Sequence, residues 1–396
     1  MDADAVVIGA GATGLFTALD LSLRGAKVVV IDRGGILNGT SGRMHGLLHS
    51  GARYVTNDQV SAKECISENI ILSRIAHHSI FDTGGLFVSL KDDDSFVETF
   101  VKGLRDAKIP YSEVDVKRAL ELEPNLNKEI THSISVPDKV VDPFKLFSGV
   151  AYLARQNGVK FLLYDRVIGI SGSKVMTEKG DVNAKVVVNA AGPWASKVSA
   201  MHSKESEVIE EMSTIGAMLV FDRKLNSMVI NRMRPPSDGD IVVPYYERSI
   251  LGTTAQVVED PDNVKVEDED VQYIIEEGSA MLPKLSGLKP TRYYYSVRPL
   301  LKGTGARSAS RDYRIFDEGD MVTIIGGKLT TSRLMAETVV DKVSEKLGIE
   351  SKCSTAVMEI PDAISLYSLS NTIGDEIYGP GYSLFRIEEY LQNDTA

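Results

Sequence analysis

The sequence has 396 residues, of which 43% are hydrophobic and 25% charged; this is ordinary for a globular protein, and the length favours two domains. Its formal net charge of −11 argues against nucleic acid as a general partner, because no basic field is available to neutralise phosphates. Cys65 and Cys353, its two cysteines, lack metal-ligand spacing, so we expect no metal site and a reducing cytosol. The N-terminus has no basic n-region and no apolar run approaches roughly 18 residues, so any membrane contact would be peripheral or partner-mediated.

The first 32 residues have the pattern of a βαβ unit that binds a dinucleotide. An apolar run at residues 5–8 precedes the turn GAGATG, a helical pattern follows, and a second apolar run closes on Asp32. Gly9 permits the tight turn, Gly11 lets the backbone approach a pyrophosphate, and Gly14 lets helix and strand pack closely. Asp32 stands where a carboxylate can accept hydrogen bonds from a ribose. The pattern predicts a dinucleotide but does not choose between FAD and NAD.

The rest of the chain alternates between helical and strand patterns. We predict helices at 58–78, 95–107, 115–122 and 144–157, and a last one that ends near residue 347. We predict strands at 84–90, 159–164, 166–170, 185–189, 293–297 and 321–325, and antiparallel strands across 214–256. Strand–glycine–helix junctions near the start, near 190 and near 326 suggest a nucleotide domain in three pieces. We assign this domain residues 1–78, 140–200 and 296–350, an antiparallel-sheet domain residues 79–139 and 201–295, and a C-terminal tail residues 351–396.

Charged residues near these junctions indicate an anionic ligand. Arg298 ends a strand before a proline, and Lys328 stands at a helix start, where a cation opposes the helix dipole unless an anion is bound. Each has an ordinary alternative, a surface salt bridge for the arginine and a solvated lysine for the other. His45 and His49 lie in the stretch GRMHGLLHSGARY, residues 42–54. They are either satisfied loop histidines or proton-transfer groups, since unperturbed histidine titrates at about 6.5.

A series of motifs has the order found in FAD-dependent glycerol-3-phosphate dehydrogenases. Across roughly residues 4–360 they are GAGATG with Asp32, TSGRMHGLLHSGARY, NAAGPW, INRMRPPSDGDIVVP, ILGTTA, SVRPL, SRDY and GGKLTTSRLMAE. The chain most resembles the catalytic subunit of the anaerobic bacterial enzyme and, more distantly, the aerobic enzyme. The resemblance implies an α/β flavoenzyme of the D-amino-acid-oxidase-like class. Such an enzyme has a discontinuous Rossmann-like FAD-binding domain and an antiparallel-sheet substrate or cap domain.

The resemblance also implies the residues of the site. Those at the FAD are Gly9, Gly11, Thr13, Gly14, Asp32, Arg33, Thr40, Ser41, Arg43, His45, Gly46, Leu48, Val167, Ala191, Gly192, Trp194, Gly326, Gly327, Lys328, Leu329 and Thr330. Those at the substrate are Tyr54, Arg298, Arg311 and Lys328. Arg298 and His45 are the catalytic candidates, and His49 and Arg53 are assigned structural roles.

The implied reaction is hydride transfer from C2 of sn-glycerol 3-phosphate to flavin N5, which gives dihydroxyacetone phosphate. Arg298 or His45 holds or receives the C2 hydroxyl proton. Because arginine has a pKa above about 12, Arg298 is better suited to stabilise the alkoxide than to act as a base. We expect electrons to pass to a quinone or a partner protein. We also expect a cytoplasmic homo-oligomer with peripheral contact to the cytoplasmic face of the membrane.

The sequence departs from the enzymes that it resembles at two places. Ala217 stands where the aerobic relatives place a histidine, and Arg232 or Arg234 is a candidate to replace that contact. The anaerobic relatives continue into a cysteine-rich domain suited to an iron–sulfur cluster, whereas this sequence has only Cys353 there, followed by residues 361–396. We therefore expect electrons to leave by another route, and the apolar residues of the tail to dock on the protein or on a partner.

Other functions stay open on the sequence. A flavoenzyme for a 2-hydroxy acid or an amine would share the FAD motifs and use an arginine for a carboxylate, and a glycerol-3-phosphate oxidase would pass electrons to oxygen. A non-catalytic FAD-binding protein is a further alternative, and the presence of Arg298, Lys328 and His45 argues against it. Convergence of Arg298, Arg311 and Lys328 would favour a phosphate, because arginine forks suit phosphate oxygens and lysine adds a point charge.

Overall fold

The computed structural model describes residues 1–202, 211–265, 267–301, 312–367, 369–370 and 385–392. Its helices are α1 (Ala12–Leu23), α2 (Gln59–Ile75), α3 (Asp94–Ala107), α4 (Val116–Leu122), α5 (Pro143–Gln156), α6 (Ala195–His202), α7 (Asp268–Ser279), α8 (Ser332–Leu347), α9 (Ala363–Tyr367) and α10 (Ile387–Gln392). Its strands are β1 (Ala5–Ile8), β2 (Val28–Asp32), β3 (Leu47–Leu48), β4 (Ile80–Phe81), β5 (Gly85–Ser89), β6 (Ser112–Glu113), β7 (His132–Val136), β8 (Lys139–Val141), β9 (Lys160–Leu163), β10 (Val167–Ser171), β11 (Lys174–Thr177), β12 (Asp181–Asn183), β13 (Val186–Asn189), β14 (Glu211–Phe221), β15 (Val229–Arg232), β16 (Ile241–Tyr245), β17 (Arg248–Gly252), β18 (Gln256–Val258), β19 (Arg292–Leu301), β20 (Tyr313–Asp317), β21 (Met321–Gly326), β22 (Leu369–Ser370) and β23 (Phe385–Arg386). The elements predicted from the sequence are present, with small shifts of their ends except in β19. That strand was predicted to end at Arg298 but continues through Pro299 to Leu301.

A six-stranded sheet carries the dinucleotide fingerprint. Its strand order is β20-β21-β13-β1-β2-β9, and neighbouring strands are parallel except for β20 and β21. Every residue of β1 and β13 is buried, which agrees with the apolar sequences of these segments up to the polar Asn189 that ends β13. Helices α1, α5 and α8 share a core on one face, where Phe16 meets Phe147 edge-on with ring centroids 5.6 Å apart. The parallel strands bring their carboxyl ends to one edge of the sheet, where cofactors bind in folds of this class.

A smaller antiparallel sheet covers the opposite face of the six-stranded sheet. It consists of β10, β11 and β12 in that order. Val6 and Val29 pack there in one cluster with Ile170 and Val175. The central strands are therefore shielded from water on both faces.

The second large sheet has nine strands and is mostly antiparallel. Its order is β18-β14-β17-β16-β15-β5-β7-β6, β19 also pairs with β14, and β15 and β5 are parallel. Helix α7 packs on one face, where Ile274 lies in a core with Leu219 and Leu251. The predicted domain boundary at residue 296 falls inside β19, so this sheet extends to Leu301. The other domain bounds stay predictions.

Two glycines of the fingerprint are required by close contacts. Gly9 has a φ of 109°, and a Cβ there would lie 2.5 Å from the carbonyl oxygen of Ala190. A Cβ on Gly14 would lie 1.9 Å from the carbonyl oxygen of Gly9. A side chain at Gly9 would therefore press on the chain that follows β13, and one at Gly14 would push α1 away from the turn.

The C-terminal tail docks on the protein itself through α10. Ile387 and Leu391 are buried in the same core as α1 and α5. The ring of Tyr390 stacks on Tyr152 at 5.8 Å, and the Arg155 guanidinium lies 4.4 Å from its centroid. Among the described residues, no helix is long and apolar enough to cross a bilayer.

Candidate active site

A cavity of about 520 Å³ is lined by residues from both large sheets. Its volume is in the range of small-molecule and cofactor sites. The predicted residues that line it are Gly9, Gly11, Thr13, Asp32, Arg33, Thr40, Ser41, Arg43, His45, Tyr54, Val167, Ala191, Gly192, Trp194, Arg298, Gly326, Gly327, Lys328, Leu329 and Thr330. The fold thus gathers most of the predicted site residues around one space.

Three predicted FAD contacts do not line this cavity. Gly14 lies in the contact between helix and turn, and Leu48 is fully buried in the hydrophobic core. Gly46 packs against Tyr245, whose ring would lie 3.0 Å from a Cβ at that position. Side chains alternate in direction along an extended segment, so Gly46 and Leu48 face away from the cavity that His45, Leu47 and His49 line. Arg311 lies outside the described residues.

One end of the cavity has the features of a dinucleotide site. The Asp32 carboxylate accepts hydrogen bonds from the backbone N–H groups of Ala10 at 2.7 Å and Gly34 at 2.8 Å. Burial raises the pKa of Asp32 to about 6. Gly11, at the N-terminus of α1, lines the same end, and a Cβ there would lie 3.3 Å from Ser41 Oγ. The positive end of the helix dipole favours a phosphate at this point. We call this part the nucleotide end.

Arg298 reaches the cavity from β19. Its Nη2 donates to Thr253 Oγ1 and to the carbonyl oxygen of Thr254, both at 2.6 Å. The side chain crosses β14 at Gly216, where a Cβ would lie 1.7 Å from Nη2. Gly216 therefore leaves the room that the guanidinium occupies, and the two threonine oxygens hold its direction.

Lys328 lies over the ring of Tyr54 at a second part of the cavity wall. It follows Gly326 and Gly327, whose φ angles of 93° and 74° turn the chain sharply. Its Nζ lies 4.6 Å from the centroid of the Tyr54 ring, a cation–π contact. The Tyr54 hydroxyl lies 3.3 Å from His49 Nε2. We call this part the cationic end.

His45 lies on the cavity wall with its protonation state set by its surroundings. Its Nδ1 accepts a hydrogen bond from the backbone N–H of Leu47 at 3.1 Å, so the neutral ring carries its hydrogen on Nε2. Desolvation, together with the positive charges of Arg298 and Arg53, lowers the pKa of His45 to about 3. His45 is therefore neutral at physiological pH and can donate a hydrogen bond from Nε2.

The cavity also contains residues that the sequence did not assign to it. His49 and Arg53, which were predicted to be structural, both line it. Arg53 Nη2 donates to Asp240 Oδ2 at 3.2 Å and to the carbonyl oxygen of Ser237 at 3.3 Å. Both residues belong to the same glycine-rich stretch as His45, and this shared stretch is the feature of the sequence that could have placed them at the cavity. Which of its side chains face a ligand depends on packing that the stretch does not encode.

The two arginines suggested as a replacement for the missing histidine are engaged elsewhere. Arg232 donates to Asp93 at 2.8 Å, and Arg234 donates to Asp240 at 2.9 Å and to Glu277. Neither arginine lines the cavity. The structure therefore does not support a substrate contact from either of them.

Comparison with known proteins agrees with the geometry of the cavity. The sequence matches the FAD dependent oxidoreductase family over residues 4–341. It is 38% identical over 402 residues to a subunit of the anaerobic glycerol-3-phosphate dehydrogenase of Haloferax volcanii, over 93% of this chain and 68% of that protein. It is also 38% identical over 381 residues to a subunit of the anaerobic enzyme of Escherichia coli K12, over 90% of this chain and 70% of that protein. The chain belongs to the FAD-dependent oxidoreductases and, among them, to the anaerobic glycerol-3-phosphate dehydrogenase family.

A solved structure agrees with this membership. The structure of this chain matches that of the glycerol-3-phosphate dehydrogenase of Bacillus halodurans, complexed with FAD, with a TM-score of 0.72 and 25% identity. The match covers 91% of this chain and 68% of that chain. The two proteins share the fold across both large sheets.

The residues of this family member fit FAD. Asp32 and the N-terminus of α1 supply a carboxylate and backbone N–H groups at the nucleotide end. Gly192 lines the cavity with a φ of 56°, and a Cβ there would meet no atom within 4 Å. The backbone at Gly192 therefore borders open space in which a cofactor can lie close to the chain. Its cofactor is FAD, as the family match states.

Proposed function

We propose that this chain oxidises sn-glycerol 3-phosphate to dihydroxyacetone phosphate. One observation carries the proposal: Arg298, Lys328 and Arg53 line the same cavity that has dinucleotide features at its nucleotide end. In a chain of net charge −11, such a local collection of cations indicates a strongly anionic ligand. Arginine and lysine together suit a phosphate. The names of the relatives, which are components of glycerol-3-phosphate dehydrogenases, support this choice over a carboxylate substrate.

When bound, FAD supplies the acceptor for the C2 hydride of the substrate at flavin N5. The residues of the chain bind and orient the substrate. Lys328 and Arg53 hold the phosphate oxygens with charge-assisted hydrogen bonds. Arg298 donates to the C2 oxygen and stabilises the negative charge that develops as the hydroxyl proton leaves. Loss of that proton and of the C2 hydride leaves the ketone.

The hydroxyl proton needs an acceptor other than Arg298. His45 uses its Nδ1 lone pair for the Leu47 amide, so its Nε2 suits donation to the substrate oxygen. His49 is placed to take the proton, because its Nε2 lies 3.3 Å from the Tyr54 hydroxyl, which lines the cavity. We therefore assign His45 to orientation of the substrate and His49, through Tyr54, to proton removal.

The onward path of the electrons rests on the resemblance. We propose a partner protein or a quinone as the acceptor, and the relatives, which are described as one part of a larger enzyme, support a partner. A homo-oligomer, a cytoplasmic location and peripheral membrane contact stay predictions.

Anaerobic mixing of the FAD-loaded protein with sn-glycerol 3-phosphate tests this function. We expect the flavin absorbance to bleach with this substrate and not with lactate or glycine, which represent the 2-hydroxy acid and amine alternatives. An unbleached flavin after glycerol 3-phosphate, or bleaching by lactate or glycine instead, would contradict the proposal. Rapid recovery of the absorbance on admission of air would identify an oxidase.

Replacement of Arg298 tests its role in the same assay. Arg298→Ala is expected to slow flavin bleaching about 100-fold to 1000-fold, because it removes a donor to the developing alkoxide. The FAD content should be unchanged. Arg248→Ala is the matched control, since Arg248 lies on the same sheet in an exposed pair with Asp222 at 2.7 Å. Near-normal bleaching by Arg298→Ala would rule out this assignment.

A further inference from the structure

A loop of the nine-stranded sheet crosses to the six-stranded sheet at the nucleotide end of the cavity. It follows β18 and spans residues 259–265. Asp260 begins a tight turn, because its Oδ1 accepts the backbone N–H of Asp262 at 3.0 Å. Pro261, between them, is buried. The turn is thus anchored at its centre and presents the Asp262 carboxylate to the opposite wall of the cavity.

Asp262 connects three side chains of that wall. Its Oδ1 accepts from Trp194 Nε1 and from Arg33 Nη2, each at 2.8 Å. Its Oδ2 accepts from Lys197 Nζ at 2.9 Å, and Lys197 also donates to Asp260 at 2.8 Å. The Arg33 guanidinium lies 4.3 Å from the centroid of the Trp194 ring. We call this arrangement the Asp262 bridge.

All four members of the bridge line the cavity. The Trp194 ring also lies against Gly39, where a Cβ would be 3.3 Å from the ring. Since Gly39 lines the cavity too, the ring covers one side of the nucleotide end. The bridge is therefore part of the wall of the nucleotide end.

The bridge is a network rather than an isolated surface pair. The side chains of Arg33, Asp262 and Lys197 are 33%, 40% and 46% exposed, and single pairs at such exposure stabilise little. Here one carboxylate receives three donors, one from Arg33 after β2 and two from Trp194 and Lys197 near the start of α6. Partial burial raises the pKa of Asp262, and the hydrogen bonds from Arg33, Lys197 and Trp194 lower it by a larger amount. The pKa of Asp262 therefore lies below its ordinary value. The carboxylate is therefore ionised throughout the neutral range.

We propose that the Asp262 bridge retains FAD, by holding Arg33 and Trp194 across the nucleotide end so that it must open before the cofactor leaves. Neither Asp262 nor Lys197 belongs to a motif of the sequence, and the role falls to them only through the loop that joins the two sheets. The inference concerns the family's cofactor and holds whichever substrate the enzyme oxidises.

Release of FAD from the holoprotein measures the bridge directly. Asp262→Asn removes the charge and keeps the shape of the side chain, and we expect FAD fluorescence to appear about fivefold faster after dilution, since charged hydrogen bonds are lost from a partly exposed network. Added salt should speed release from the wild type and change the variant less, because salt screens exposed charges. Asp181→Asn is the matched control, because Asp181 lies in an exposed pair with Lys174 at 2.7 Å on the small sheet. It should release FAD at the wild-type rate.

The emission of Trp194 gives a second readout, because it is the single tryptophan of the chain. We expect the emission of the apoprotein to change in Asp262→Asn and in Lys197→Met, and to stay unchanged in Asp181→Asn. Wild-type FAD release by Asp262→Asn would overturn the proposal. So would faster release that is matched by a lower melting temperature of its apoprotein, because the effect would then be general destabilisation. Bleaching by substrate does not enter either measurement, so the bridge and the proposed function can fail separately.

Discussion

At the scale of single residues, His45 shows how the cavity sets the chemistry of a side chain. The imidazole is removed from bulk water, and the charges of Arg298 and Arg53 act on it, so its pKa falls to about 3. In the unfolded chain the same group would titrate at about 6.5. Because the pKa is lower in the fold, the imidazole takes up its proton in the unfolded chain first, as the pH falls below about 6.5. His45 therefore stabilises the fold less at acidic than at neutral pH.

The pH dependence of stability tests this state. Between pH 7 and pH 5, His45 should by itself lower the free energy of unfolding by about 2 kcal/mol, and His45→Gln should lack this component. Urea unfolding at fixed FAD concentration, compared between wild type and variant at each pH, measures the difference. His132→Gln serves as control, since His132 is an exposed histidine of the nine-stranded sheet. Parallel pH curves for wild type and His45→Gln would show that His45 has the same pKa in the folded and the unfolded chain, and would contradict its lowered pKa.

At the scale of elements, the antiparallel pairing of β14 with β19 determines where Arg298 points. The two strands are antiparallel, with Gly216 opposite Ser296 and Thr214 opposite Arg298. The guanidinium bends back over Gly216 because no Cβ stands there. A glycine inside a strand weakens it, so its presence here indicates a close approach that a larger residue would prevent.

Gly216→Ala should displace Arg298 without changing the nucleotide end. We expect turnover to fall about 10-fold to 100-fold with FAD content unchanged, because small misplacements of a catalytic donor are costly. Steady-state kinetics with glycerol 3-phosphate and the flavin-to-protein absorbance ratio measure the two effects. Gly287→Ala is the matched control, since a Cβ there would meet no atom within 4 Å. Equal turnover by the two variants would show that Arg298 does not depend on Gly216.

At the scale of the whole molecule, α10 links the C-terminal tail to the six-stranded sheet's core. Ile387 is fully buried and Leu391 is 4% exposed, beside residues from the start of the chain. Burial of two such side chains stabilises the docked helix, because it removes apolar surface from water. Helix α10 is therefore packed as part of the fold.

Leu391→Ala distinguishes docking on the protein from docking on a partner. We expect a loss of about 2–4 kcal/mol in the free energy of unfolding if α10 is packed as described, because the substitution leaves a cavity in the core. Leu122→Ala, at a position 39% exposed, should change stability by less than about 0.5 kcal/mol. Chemical denaturation of the isolated chain measures both. An unchanged midpoint for Leu391→Ala would show that the tail does not pack in solution.

The sequence predicted local elements better than the faces of those elements. The apolar runs of β1 and β13 and the glycine turn between β1 and α1 depend on neighbouring residues, and they lie where they were predicted. Leu48, by contrast, was predicted at the FAD and lies in the core, while His49 was predicted to be structural and lines the cavity. One residue separates the two outcomes, because adjacent positions in an extended segment face opposite sides.

By itself the sequence determined the dinucleotide fingerprint, the two classes of sheet and, through the order of its motifs, the family. These features are carried by periodicity and by glycines whose backbone conformations no other residue adopts easily. Only the tertiary structure decided that Arg53 faces the cavity, that Gly216 makes room for Arg298, and that Asp262 reaches Trp194. Each of these depends on the meeting of segments far apart in the chain. The physical reason is that such meetings follow from the packing of whole sheets, which no short stretch of sequence records.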